Sequence, residues 1–105
     1  MADNPRERAL ERALFRLYEQ WWHECDYRAE RFRQTIVPGC KKYKGGIAAA
    51  RDVIYRPATA GFSVLREKNR MDLSVEALIL KKPWSELFSD RDKLIACQKL
   101  RKLSK

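Results

Sequence analysis

The sequence has no apolar run close to the roughly 20 residues that a membrane-spanning helix needs. Residues 1–5 also lack the apolar core of a signal peptide, so the sequence predicts a cytoplasmic chain without membrane contact. No stretch alternates cleanly between apolar and polar side chains with a period of two, and no segment repeats. These absences exclude a membrane protein and argue against a β-sheet.

Cysteine and histidine are scarce: the chain holds three widely spaced cysteines and one histidine. An odd number of cysteines without a Cys-x-x-Cys pair fits reduced thiols better than a disulfide framework. A zinc site built from His23, Cys25, Cys40 and Cys97 is disfavoured, because the side chains of His23 and Cys25 project to different faces of a helix. We therefore predict no metal and no cofactor.

Motifs of catalysis are missing as well. The sequence contains no Gly-x-Ser-x-Gly, no His-Glu-x-x-His and no dinucleotide-binding fingerprint. Most carboxylates stand in the first turns of predicted helices or at helical spacing from a cation, where they complement the helix dipole or pair with that cation. The sequence thus favours a binding or interaction protein over an enzyme.

What the chain does contain is enough apolar material for one folded unit. Of its 105 residues, 45% are apolar and 10% are aromatic, which is more than a disordered chain carries. The length suits one domain, residues 1–105, that buries most of its apolar surface without disulfides.

Helical periodicity and end signals predict an all-α, compact domain of five or six helices with a long N-terminal helix. The first helix is expected over residues 5–24, with Asn4 as its N-cap and Pro5 at the first helical position. Asp26 is expected to cap a second helix over residues 27–37. The third and fourth are expected over 47–55 and 59–68.

The last two helices carry clear start signals. Ser74 is expected to cap a short fifth helix that ends near residues 81–83, with Leu73 packing against Leu78. A turn containing Trp84 and Phe88 follows. The sixth helix is expected to begin at residues 89–92. Its apolar residues repeat at three-residue steps, with Ile95 and Ala96 flanking them: Leu94, Cys97, Leu100 and Leu103.

The apolar arc of the first helix is unusually wide, about 200° on a helical wheel. Leu10, Leu14, Leu17 and Trp21 form its centre, and Phe15, Tyr18 and Trp22 adjoin it. Two interpretations stay open. Either the helix is central and covered on most sides, or Phe15, Tyr18 and Trp22 form an interface for a protein partner or a homodimer.

The net charge of +9 is concentrated in the middle of the chain. Residues 1–37 hold seven basic and seven acidic side chains, whereas residues 38–70 hold eight basic and two acidic ones. A concentrated positive field is typical of surfaces that bind polyanions, because each cation that contacts a phosphate releases condensed counterions. Solubility alone is the other explanation of such a charge.

The basic loop, residues 41–46 with the sequence KKYKGG, leads directly into the third helix. Glycines let a phosphate approach the backbone, and the first N–H groups of a helix point towards it. It is not a Walker A loop, since Lys44 precedes the glycines instead of following them. The alternative interpretation is a solvated loop between two helices, in which Gly45 and Gly46 serve only as turn and N-cap. We predict nucleic-acid binding, with DNA as the favoured ligand, by phosphate contacts from Lys41, Lys42, Lys44, Gly45, Gly46, Arg51, Arg56, Arg66, Lys68 and Arg70.

Four segments resemble a pattern in uncharacterised small bacterial proteins and protein segments: GGIAAA at 45–50, GF-x-x-L at 61–65, RMDLSVEALIL at 70–80 and W-x-x-LF at 84–88. The resemblance covers residues 27–103. Such segments occur alone or beside DNA-processing and restriction-type modules, and the resemblance implies no catalytic residue. It implies a shared scaffold or site at Gly46, Gly61, Phe62, Asp72, Leu73, Glu76 and Leu80.

Overall fold

The computed structural model describes residues 5–56 and 60–103, and within these ranges it contains helices and no strand. The helices are α1 (Pro5–Cys25), α2 (Glu30–Ile36), α3 (Gly46–Tyr55), α4 (Ala60–Glu67), α5 (Val75–Ile79) and α6 (Asp90–Leu103). Two short 3-10 turns, Met71–Leu73 and Trp84–Leu87, flank α5. The all-α prediction with a long N-terminal helix is confirmed.

Helix α1 packs against α2, α3 and α4 on one side and is exposed on the other, at Arg12, Arg16 and Glu19. Its inward face buries the residues at the centre of the predicted arc, Leu10, Leu14, Leu17 and Trp21. The indole N–H of Trp21 donates to the carbonyl oxygen of Leu73 at 2.7 Å, which ties α1 to the segment before α5. Most of the wide apolar arc is therefore covered by other parts of the same chain.

The predicted start of the second helix is wrong. Asp26 has a left-handed backbone, with φ of 53°, and the N–H of Tyr27 bonds back to the carbonyl of Trp21 at 3.0 Å. An aspartate tolerates this conformation better than most residues. Asp26 therefore lies in the turn that ends α1, and α2 begins only at Glu30.

The start signals of α5 and α6 are confirmed. The Ser74 hydroxyl accepts from the N–H of Ala77 at 3.0 Å. At α6, the Ser89 hydroxyl accepts from the N–H of Asp92, whose carboxylate accepts from the N–H of Ser89, in a reciprocal capping box. Helix α5 ends at Ile79, short of the predicted 81–83. The structure does not describe Asn4, which was the predicted N-cap of the first helix, or residue 59, which was the predicted start of the fourth. The side chains of Phe62 and Leu103 also lie outside the described residues.

The inward face of α6 does not coincide with the apolar stripe of its sequence. Leu94 is 57% exposed, whereas Ala96 is fully buried. Asp92, Ala96 and Lys99 share the inward face, at a spacing of four and three residues. A pattern of apolar residues misplaces this face because the face also includes Asp92 and Lys99, which are charged and paired inside the fold.

The central polar contact is a buried ion pair between α5 and α6. The Lys99 Nζ lies 2.6 Å from the Oε2 of Glu76, which is 1% exposed. The same ammonium group donates to the carbonyl oxygens of Val53 at 3.2 Å and Arg56 at 3.0 Å. These carbonyls lie at the C-terminal end of α3, where a cation also complements the helix dipole. One side chain thus joins α3, α5 and α6.

Lys99→Ala is expected to lower the free energy of unfolding by about 3 kcal/mol, because it leaves a buried carboxylate without its cation. Urea unfolding followed by circular dichroism measures this. Lys93→Ala is the control on the same helix, since Lys93 pairs with the fully exposed Asp90 at 3.6 Å. The control should change the free energy of unfolding by less than about 1 kcal/mol. Equal losses in the two variants would contradict the prediction.

Candidate nucleic-acid interface

A cleft of about 750 Å³ lies where α2, the basic loop and α3 meet, with residues of α4 and α5 also lining it. Its cationic lining comes from three places along the chain: the segment leading into α2 and α2 itself, the loop, and the end of α3. The five cations are Arg28, Arg31, Lys42, Lys44 and Arg56.

The same cleft has an aromatic wall. Trp21, Tyr27 and Phe32 line it, and the Trp21 ring centroid lies 5.4 Å from that of Phe32 and 6.2 Å from that of Tyr27. Trp21 is buried, whereas Tyr27 and Phe32 are half-buried. The cleft therefore combines cations with partly accessible aromatic rings.

Three carboxylates also line the cleft, and each is bound by a cation of the chain. Glu76 pairs with Lys99, as described above. Asp52 lies 2.8 Å from the Arg56 guanidinium and 3.6 Å from the Lys44 ammonium. Glu30 accepts from Arg33 at 2.6 Å and from the Tyr18 hydroxyl at 3.0 Å, and these hydrogen bonds lower the pKa of Glu30.

Two cleft cations have no such partner. Arg31 and Lys42 are exposed, and neither is in an ion pair with any residue that the structure describes. The cleft cations that face no described carboxylate are therefore these two side chains, one on α2 and the other on the basic loop.

The structure brings some of the predicted cations together and separates others. Lys42, Lys44 and Arg56 line the cleft, and the exposed Lys41 is next to Lys42 in the chain. The remaining predicted cations do not line it: Arg51, Arg66, Lys68 and Arg70. Of these, Arg66 and Lys68 are exposed around the end of α4.

Arg70 is held in an ion-pair cluster instead. Its guanidinium lies 2.6 Å from the Glu24 carboxylate and 3.2 Å from that of Asp72. The hydrogen bond to Arg70 lowers the pKa of Asp72, and bonds to Asp72 and Glu24 raise the pKa of Arg70. The charge of Arg70 is thus balanced within the protein.

Sequence reasoning missed two members of the cleft, Arg28 and Arg31. Both fall in the N-terminal third, whose balanced total charge hides them. Their spacing of three residues within the predicted second helix was the available signal, because that helix would place both on one face. In the structure only Arg31 belongs to α2, and Arg28 lies in the segment before it.

Carboxylates of α1 occupy the start of α3. The N–H of Gly46 donates to Glu11 at 2.9 Å, and that of Ile47 donates to Glu7 at 3.3 Å. Glu11 also accepts from the Tyr43 hydroxyl at 2.6 Å, and Tyr43 bonds to Arg8 as well. Burial and the bond to Glu11 raise the pKa of Tyr43. The N-terminus of α3, where the sequence predicted a phosphate, is therefore occupied by the carboxylates of Glu7 and Glu11.

The two glycines let α3 approach α1. Gly45 has φ of 95°, a conformation that side chains disfavour. A Cβ atom on Gly46 would lie 3.0 Å from the Glu11 Cγ and 3.3 Å from a Leu10 methyl group. Gly45 and Gly46 are therefore explained by backbone conformation and packing.

The predicted aromatic interface is divided by the fold. Tyr18 is buried and bonds to Glu30, and Phe15 is half-buried against the core. Trp22 is 39% exposed, and the Arg28 guanidinium lies 4.3 Å from its ring centroid. Trp22 is thus the one member of the three that is exposed.

Among the described residues, no three His, Cys, Asp or Glu side chains are placed to hold a metal ion. No helix in the described ranges is long and apolar enough to cross a membrane. Cys25, Cys40 and Cys97 are free thiols, and Cys25 is buried.

No protein-family model matches this chain. It also has no match among curated proteins or solved structures.

Arg51 joins α3 to the start of α6. Its Nε lies 3.4 Å from the buried Asp92 carboxylate, which also accepts from the Tyr55 hydroxyl at 2.5 Å and from the N–H of Ser89. Burial raises the pKa of Asp92, but these bonds and Arg51 outweigh it, so the pKa lies below its ordinary value. Arg51 therefore contributes to stability through Asp92.

Stability should depend on the ionisation of Asp92. Its pKa is lower in the folded than in the unfolded chain, so its contribution is complete above about pH 4 and is lost as the pH falls through the folded value. Asp92→Asn is expected to flatten the acid dependence of the urea midpoint between about pH 5 and about pH 2. Asp90→Asn removes an exposed carboxylate from the same turn and is the control. An Asp92→Asn profile as steep as that of the wild type would contradict this.

Gly46→Ala is expected to lower the free energy of unfolding by about 1–3 kcal/mol, because the added methyl group overpacks the contact between α1 and α3. Alanine in place of glycine otherwise stabilises a helix. Urea unfolding of the wild type and of Gly46→Ala measures whether the substitution lowers or raises the free energy of unfolding. A variant more stable than the wild type would contradict the close contact with Glu11.

Proposed function

We propose that this protein binds nucleic acid, with DNA as the first ligand to test, and that it does so without catalysis. One observation carries the proposal: five cations from separate elements converge on one cleft that also has an aromatic wall. The three cleft carboxylates are already bound by Arg33, Arg56, Lys44 and Lys99.

The chemistry of the cleft suits phosphate contacts. Arg31 and Lys42 present charge that no described carboxylate balances, and exposed Lys41 adds to it. Such contacts position a protein on a nucleic acid without reading sequence. The proposed surface consists of the cleft cations and Lys41. It omits Gly45 and Gly46, whose surroundings are filled by Glu7 and Glu11.

The aromatic face of α1 has less support as a partner interface. Tyr18 is buried, and exposed Trp22 already has the Arg28 guanidinium over its ring. Arg28 also lines the cleft, so this part of the surface belongs with the proposed nucleic-acid interface.

The double substitution Arg31→Gln and Lys42→Gln should weaken DNA binding roughly tenfold at low salt. It should also reduce the slope of log affinity against log salt concentration by about 1 to 2, because two phosphate contacts are lost. Fluorescence anisotropy with a labelled oligonucleotide measures both quantities across a salt titration.

The matched control is the double substitution Lys82→Gln and Arg91→Gln. It removes the same charges from two exposed positions outside the cleft. Affinity for DNA weaker than millimolar at low salt, or equal losses in the two double variants, would refute the proposed surface.

A further inference from the structure

We infer that the cleft takes an unpaired nucleotide of a single strand, with the base against Phe32 and Tyr27 and the phosphates on the surrounding cations. This inference rests on the proposed function and specifies the form of nucleic acid that the cleft accepts.

The shape of the site supports a small, flat group. A cleft of about 750 Å³ falls within the range of 300 to 1,000 Å³ that is usual for sites of small ligands. Bases within a duplex are stacked and paired, so they cannot enter a cleft of this kind. A base in a single strand is free to leave its stack and lie against a side chain.

The aromatic wall supplies a surface for a base. Phe32 and Tyr27 line the cleft and are half-buried, so part of each side chain remains accessible. Both pack against the buried Trp21, which holds them in place. Stacking on such rings is tolerant of sequence, because every base has a π-face.

The two cleft cations without an ion-pair partner among the described residues, Arg31 and Lys42, lie on two different elements beside this wall. Arg31 belongs to α2, one position before Phe32, and Lys42 belongs to the basic loop. A backbone passing over the cleft can therefore place phosphates on α2 and on the loop. An acidic peptide would use the same cations but has no base for the aromatic wall.

The difference in charge density between single-stranded and double-stranded DNA allows a test to separate binding through bases from binding through charge alone. A duplex carries more charge per unit length than a single strand, so binding by charge alone has the steeper salt dependence on duplex. A preference for the single strand therefore requires a contribution from the bases. The wild-type chain should bind a labelled 20-nucleotide single strand at least about fivefold more tightly than the duplex of the same sequence.

Phe32→Leu should weaken single-strand binding about fivefold, since it removes the ring but keeps an apolar side chain. Its effect on duplex binding should stay below about twofold. Phe15→Leu is the control, because Phe15 is also partly buried but lies outside the cleft. Tyr27→Leu is the second cleft variant, and circular dichroism melting verifies that each variant is folded.

The outcomes separate this inference from the proposed function. Equal or tighter duplex binding, or equal effects of Phe32→Leu and Phe15→Leu on single strands, overturns the single-strand site and leaves duplex binding standing. No binding to either form overturns both. Binding of poly-glutamate as tight as that of the single strand also overturns the inference, because it shows that charge alone suffices.

Discussion

The fold depends most on the buried contact between Glu76 and Lys99. A carboxylate that is 1% exposed is stable in its charged form only with a cation beside it, and Lys99 supplies that cation from α6. The same ammonium group satisfies carbonyls at the end of α3, so three helices share one charge. Because Glu76 also lines the cleft, the contact that secures the core also shapes the candidate site.

A second set of polar contacts holds the basic loop in place. Glu11 receives the N–H of Gly46 and the hydroxyl of Tyr43, while the N–H groups of Lys44 and Gly45 bond to the carbonyl of Thr35 on α2. The loop is thus fastened to both α1 and α2. Two of the seven carboxylates that balance the charge of residues 1–37, those of Glu7 and Glu11, lie at the start of α3.

The start signals of α5 and α6 were predicted correctly from the sequence, whereas the Asp26 cap of the second helix and the contacts between distant residues were not. Ser74 caps α5 as predicted because capping involves residues only three positions apart. Lys99 could not be placed inside, because its partner lies 23 residues away in the chain. Summing the charge over each third of the sequence located the cations of the basic loop. The same sums gave no sign of Arg28 and Arg31, because the N-terminal third has no net charge. Only the folded chain shows that α2 and the segment leading into it place those two in the same cleft as Lys42.

Asp52 holds Arg56 and Lys44 in the cleft before any ligand is present. These ion pairs restrict the two long side chains in advance, which reduces the entropy that binding must remove. An incoming anion has to compete with this internal carboxylate. If the proposed function holds, a small anion with one charge obtains little binding free energy from Arg56 and Lys44. A chain of phosphates that also reaches Arg31 and Lys42 obtains much more. Competition from Asp52 would then disfavour ligands with one or two charges and favour ligands that carry many.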